Sequence, residues 1–304
     1  MKWNDRHKTM LANFLGRRER GSFSIATMEY PSEPTQSADT PETLISERMN
    51  SSDQKIKVLP FDRKRDNPPH LKSILKQSPG IPAHNAILGV CEDTLPVLLD
   101  LKEQTIRSIL AVAENPQTSF NLLTCLAFSS AALNPARNLQ VIVISSRADD
   151  WREHPAMQWA GRSFLNIYSV YSRESEIAIL QAAEWARDCQ LGQRRGAQVL
   201  LILDNLAACA EMDFDARLNL EWLLREGSPL GINPVAVVTG NDVLDVSTWI
   251  RSFSIVLMGE IPDRRPYYTL NLLDAGEEFP VLEPDGFASR IENGWFVFHT
   301  VNTD

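Results

Sequence analysis

Six short runs in this chain are apolar almost without interruption: PVLLDL at 96–101, SILAVA at 108–113, LQVIVIS at 139–145, QVLLILD at 198–204, NPVAVVTG at 233–240 and SIVLMG at 254–259. A strand wetted on one face alternates apolar and polar side chains, so a run apolar at nearly every position has to be covered on both faces. Residues 141–144 are all β-branched, a strand composition. Segments of helical period lie between most of the runs, at 119–133, 174–189 and 206–225. In the second of these, Ile177, Leu180, Ala183, Trp185 and Ala186 supply the apolar positions, and Gly192 and Gly196 punctuate its end. Buried strands alternating with helices predict the α/β class, with a mostly parallel central sheet and helices on both faces.

Ahead of residue 81 the chain is built differently. Residues 1–80 hold 14 basic and 10 acidic side chains, net +4, whereas the rest hold 16 and 29, net −13. From 22 to 80 the composition is Ser, Thr, Pro and charge with few apolar clusters, which predicts a flexible linker. In 1–21, Trp3, Met10, Leu11, Phe14 and Leu15 fall on one face of a helix that also carries Lys2, Arg6, Lys8, Arg17 and Arg18. Such a basic amphipathic segment suits an acidic membrane surface or a partner's groove; a short helix folding back on its own domain is the plainer alternative. The expected division is therefore 1–21, 22–80 and a domain at 81–304.

No run reaches the roughly 18 apolar residues of a membrane span, and the first ten residues lack the apolar centre of a secretory signal. A cytoplasmic location is expected, peripheral to a membrane complex if 1–21 docks there. Cys91, Cys125, Cys189 and Cys209 are widely spaced and read as small buried thiols. With no H-x-x-x-H and no C-x-x-C, no metal site is expected. Glu211, Asp213 and Asp215 read as a solvated acidic surface, and Arg194, Arg195, Arg264 and Arg265 as surface charge.

Ligands of an open parallel sheet sit at the carboxyl ends of its strands, here 114–120, 145–147, Asp204 with Asn205, and 239–242. The pieces around these ends resemble, in their order, the motor domain of the FtsK/HerA group of P-loop ATPases: DNA translocases and secretion or conjugation motors. VLLDLKEQTIRSILAVAENPQTSFNLLTCLAF stands where that group has an extended segment, a strand, the phosphate loop and a helix. QVLLILDN is similar to its second acidic strand end, GINPVAVVTGND to its later strand ending in T-Q, and GFASRIENGWFVFHTV to its closing hairpin. The likeness covers about residues 87–301. It implies a RecA-like P-loop NTPase fold, ATP and magnesium as cofactors, and a place in a motor, secretion or conjugation apparatus.

The residues depart from that pattern where chemistry is done. A phosphate loop G-x-x-x-x-G-K-[ST] uses glycines to let amides approach the phosphates, a lysine to neutralise them and a hydroxyl to hold magnesium. This chain reads Glu114, Asn115, Pro116, Gln117, Thr118, Ser119, Phe120, Asn121: no glycine, Phe120 in place of lysine and Asn121 in place of the hydroxyl. Pro116 removes an amide donor. The Walker B-like strand end keeps Asp204, but Asn205 replaces the glutamate implied as catalytic, and an amide cannot take a proton from water. At the sensor-like position Thr239 is followed by Gly240, not glutamine. Structural roles suit two of these residues: Ser119 as a helix N-cap, and Asp204 as a strand-end carboxylate that caps the next helix or binds water.

The expectation is a non-catalytic pseudo-ATPase, with no catalytic residue, cofactor or metal. It would act as an assembly or scaffold subunit through protein partners, a true motor ATPase or copies of itself. An active ATP-dependent DNA translocase using ATP and magnesium is the alternative. The −13 beyond residue 80 disfavours nucleic acid as a partner of 81–304, because tracking a phosphate backbone needs positive charge. An unrelated α/β binding protein is the second alternative.

Overall fold

The six apolar runs all become strands of one sheet. The computed structural model describes residues 57–58, 69–92, 95–102, 108–160, 165–193, 197–263, 265–270, 272, 278–291 and 294–304, all within the unit Gln54–Asp304. The 1–21 segment, most of the 22–80 stretch, Arg194, Arg195 and Arg264 lie outside the described residues. In chain order the strands are β1 (Lys57–Val58), β2 (Asn85–Val90), β3 (Pro96–Asp100), β4 (Ile109–Val112), β5 (Leu139–Ser145), β6 (Leu165–Ser169), β7 (Gln198–Leu203), β8 (Ile232–Val238), β9 (Ile255–Met258), β10 (Gly286–Ile291) and β11 (Gly294–His299). The helices are α1 (Leu71–Gln77), α2 (Pro116–Leu133), α3 (Ala148–Glu153), α4 (Met157–Ala160), α5 (Arg173–Gln190), α6 (Leu206–Cys209), α7 (Phe214–Glu226), α8 (Ser247–Ile250) and α9 (Arg265–Thr269).

The strand order is β1-β3-β2-β11-β10-β9-β4-β8-β7-β5-β6. From β9 to β6 the strands run parallel, with β4 between β9 and β8 and the Walker B-like β7 one strand further on. The other five strands form an antiparallel wing, joined where Ala288 of β10 faces Met258 of β9. Side chains alternate between the two faces. Val141, Val143, Leu200 and Ile202 belong to the core that holds α2, while Ile142, Ile144, Leu201 and Leu203 are equally buried and point the other way. On that second side α5 and α7 pack against each other. Burial on both faces is the reason the runs carry no polar alternation.

Helix α2 has no charged residue in PQTSFNLLTCLAFSSAAL and is buried around most of its circumference. Its polar groups hold β2: Ser129 Oγ accepts from the Ile87 N–H at 2.8 Å and Asn134 Nδ2 donates to the Asn85 carbonyl at 3.2 Å. Both β2 and β6 escaped the apolar-run criterion. In β6 only Leu165 is buried and the next four positions are half-buried, as suits a strand at the sheet's edge. The expected helix at 206–225 is two helices, because Asp213 restarts the chain with its N–H given to Glu176 Oε1 at 3.0 Å. Glu211, Asp213 and Asp215 are exposed, as a solvated face requires. None of the four cysteines is in a disulfide; Cys125 and Cys209 are buried, which pushes their thiol pKa values up.

The linker boundary at residue 81 needs correction. Lys57 and Val58 pair with β3, and α1 buries Leu71 and Ile74 completely in the main core. The Leu71 N–H donates to the Asn302 carbonyl at 2.8 Å, so the stretch just before residue 81 is stitched to the end of the wing. Two fully buried residues in the seven of LKSILKQ, with Leu75 partly buried beside them, suffice for a short helix laid on an existing core. Ile74→Ala is accordingly expected to cost about 2–5 kcal/mol in urea unfolding of the full chain. A change within about 0.5 kcal/mol would return this stretch to a solvated linker.

His154 joins α2 to the last residues. Its ring lies 4.9 Å from Phe128, Nδ1 accepts the Ala156 N–H at 3.1 Å, and Nε2 faces Thr303 Oγ1 at 3.2 Å. That pairing fits a neutral imidazole protonated on Nε2. Burial lowers its pKa, with the Asp304 carboxylate opposing in part. The unfolded histidine takes up a proton near pH ~6.5, so below that pH the unfolded chain gains a proton the native state resists, and stability falls. His154→Gln should flatten the decline in unfolding midpoint between pH 7.5 and 5.5; an unchanged decline would put its origin elsewhere.

Candidate functional site

Four strand ends converge where β4, β5, β7 and β8 finish, and a cavity of about 220 Å³ opens between them. Pro116, Ser119 and Phe120 from the start of α2 line it, with Ser146 and Arg147 after β5, Asp204 and Asn205 after β7, and Thr239 after β8. Six residues expected at a nucleotide site thus meet at one place. Glu114, Asn115, Gln117, Thr118, Asn121 and Gly240 are not among the lining residues.

The connection from β4 to α2 is short. Only Ala113, Glu114 and Asn115 separate Val112 from Pro116, the first residue of the helix. Proline is well placed there, since its φ is preset and the missing N–H would have no helical partner. Asn115 is the N-cap, its Oδ1 accepting from the Gln117 N–H at 2.9 Å. Ser119 is therefore not the cap that its hydroxyl suggested: it lies inside α2, with its N–H bonded to the Asn115 carbonyl at 3.3 Å. Gln117 Nε2 donates to Asn121 Oδ1 at 2.9 Å, and Thr118 Oγ1 donates to the Pro284 carbonyl at 2.7 Å.

Phe120 is covered by a cation from the turn after β5. The Arg147 guanidinium carbon is 4.3 Å from the Phe120 ring centroid, and Nη2 donates to the Pro116 carbonyl at 3.1 Å. Asp150 stands 3.9 Å from its Nε. A guanidinium stacked on a ring and partly withdrawn from water is worth about 1–2 kcal/mol. Sequence reasoning marked 145–147 as a strand end but gave Arg147 no role, because its partner lies 27 positions earlier on a different element.

The acidic strand end is equally engaged. Asp204 Oδ1 accepts the Ser146 N–H at 2.8 Å and Oδ2 accepts the Ser145 hydroxyl, which ties β7 to the turn after β5. Capping of the next helix falls to Asn205 instead, whose Oδ1 accepts the Ala208 N–H at 2.9 Å. Thr239 Oγ1 donates to Asp242 Oδ2 at 2.8 Å within its own loop.

Gly240 and Glu114 explain each other. A Cβ on Gly240 would stand 2.6 Å from Glu114 Oε1 and 2.8 Å from Ile261 Cγ2, so the glutamate fills the space a sensor side chain would need. Asn241 Nδ2 lies 3.5 Å from the other carboxylate oxygen, Glu114 Oε2. Gly240→Ala is expected to cost about 1–3 kcal/mol in urea unfolding. Glu114→Ala should relieve part of that cost, with a coupling of at least about 0.5 kcal/mol; strictly additive effects would mean the two do not compete for space.

No family model matches this chain, and no curated protein does. Solved structures do. ATPases 2 and 3 of EccC from Thermomonospora curvata, in complex with a signal sequence peptide, superpose with a TM-score of 0.59 at 13% identity, covering 78% of this chain and 43% of that one. EssC (ATPases 2 and 3) from Geobacillus thermodenitrificans gives 0.58 at 13% identity, with 78% and 45% covered. The pCW3 conjugation coupling protein TcpA, in its monomer form with ATPgS, gives 0.53 at 12% identity, with 73% and 67% covered. The chain spans less than half the length of the EccC and EssC structures. At such identities the likeness is one of fold: the chain shares the RecA-like α/β fold of these ATPase structures, as the order of the apolar strands implied.

Proposed function

We propose that this chain is a non-catalytic FtsK/HerA-like domain that serves as an assembly or scaffold subunit of a secretion or conjugation motor. The observation that carries the reading is the Arg147 guanidinium seated on Phe120 and bonded to the Pro116 carbonyl, above a strand–helix connection only three residues long. A triphosphate needs amides turned toward it and a cation free to meet it. Here the Gln117 amide is bonded to Asn115, Pro116 has none, and the arginine at the cavity is engaged. Glu114 adds negative charge beside the same turn.

A magnesium ion fares no better with these donors. Asp204 already accepts from Ser145 and Ser146, and Asn205 holds the N-terminus of α6. The residues do not fit ATP with magnesium. The motor setting is supported by the neighbours, which include a conjugation coupling protein and ATPase domains of EccC and EssC. The net −13 beyond residue 80 supports a protein partner over a nucleic acid.

Titration of the full chain with ATP and magnesium in a calorimeter should show no binding tighter than about 1 mM, and no phosphate release. Micromolar affinity, or turnover that needs magnesium, would make the domain a working ATPase instead. Affinity capture of the full chain from its native cells should bring down an ATPase with an intact lysine-bearing phosphate loop. Capture of DNA with no such ATPase would favour the translocase reading.

A further inference from the structure

Away from the cavity, the hairpin that closes the wing brings together three side chains able to ligate a metal. Glu283, Pro284, Asp285 and Gly286 form a tight turn, closed by the Gly286 N–H on the Glu283 carbonyl at 2.8 Å. Gly286 opens β10 directly opposite His299, the last residue of β11, and the Thr300 N–H donates to the Asp285 carbonyl at 3.0 Å. The backbone of all three residues is thereby fixed. One oxygen from each carboxylate and the imidazole Nδ1 lie within 4.8 Å of one another.

Their separations approach those of an ion's ligands. His299 Nδ1 is 3.4 Å from Asp285 Oδ1 and 3.7 Å from Glu283 Oε2. The contact with Asp285 is a long hydrogen bond and that with Glu283 lies beyond the usual N–H···O range of about 2.7–3.2 Å, since a single Nδ1 proton cannot serve two acceptors well. Ligand atoms at about 2.0–2.1 Å from a tetrahedral ion stand about 3.3–3.4 Å apart. The His299 side chain is 14% exposed, whereas Glu283 is 78% exposed, so an ion could enter from the glutamate side and reach the nitrogen at the back.

We propose that Glu283, Asp285 and His299 form a binding site for one zinc ion. Two carboxylate oxygens and one imidazole nitrogen are a donor set that favours zinc over magnesium or calcium, which prefer oxygen alone. Three protein ligands leave the fourth position to water or to a side chain from a partner. The ion pins the turn at 283–286 to the end of β11. Because Thr118 of α2 bonds the Pro284 carbonyl, that pin also braces the start of α2. The site is independent of whether the cavity binds nucleotide.

Calorimetric titration of the full chain with zinc chloride, under a non-chelating reductant, tests the assignment. One site per chain is expected, together with a rise in melting temperature. Glu283→Gln changes an exposed side chain and should leave the fold intact while weakening zinc at least about tenfold. Asp285→Asn and His299→Ala should abolish the site and the thermal shift. Wild-type protein that binds no zinc, or three variants that keep wild-type affinity and stoichiometry, would overturn the proposal.

Discussion

Three residues between β4 and α2 set the character of the whole site. With Val112 ending the strand and Pro116 opening the helix, three residues make the whole connection. The turn then has to satisfy itself, and it does so with the Asn115 cap. From this one constraint the neighbouring substitutions follow. Glu114 leaves the turn toward β8, and Gly240 gives it room. Phe120, one turn into the helix, presents a ring, and Arg147 lies on it. These are mutually supporting contacts, of the kind expected when a scaffold has settled around a new set of local interactions.

The sheet itself is indifferent to these changes. Val141, Val143, Leu200 and Ile202 pack on the α2 side, and their strand neighbours pack toward α5 and α7, whatever the turns at the carboxyl ends carry. A fold of this class therefore does not depend on which residues stand at its strand ends. The sheet carries an antiparallel wing, and the chain beyond residue 80 has net negative charge.

Legibility in the sequence followed burial. Strands covered on both faces, such as 141–144, announced themselves because every position is apolar. The edge strand β6, with four half-buried positions, did not. Helix α1 was hidden for a related reason: Leu71 and Ile74 are its only fully buried residues, and its lysines, serine and glutamine look like linker. The acidic strand end and the missing glycines were readable, since each is a property of one segment. Arg147 on Phe120, Glu114 against Gly240, and the gathering of Glu283, Asp285 and His299 were not, because each depends on which strand ends the topology makes neighbours. No spacing rule anticipates a histidine 14 positions after an aspartate.

A crystal grown with millimolar magnesium and a non-hydrolysable ATP analogue tests the central claim most directly. The account predicts that Arg147 remains on Phe120, with no triphosphate between Pro116 and Asp204. A triphosphate lodged there, with the guanidinium swung from the ring onto its oxygens and magnesium held by Asp204, would contradict it.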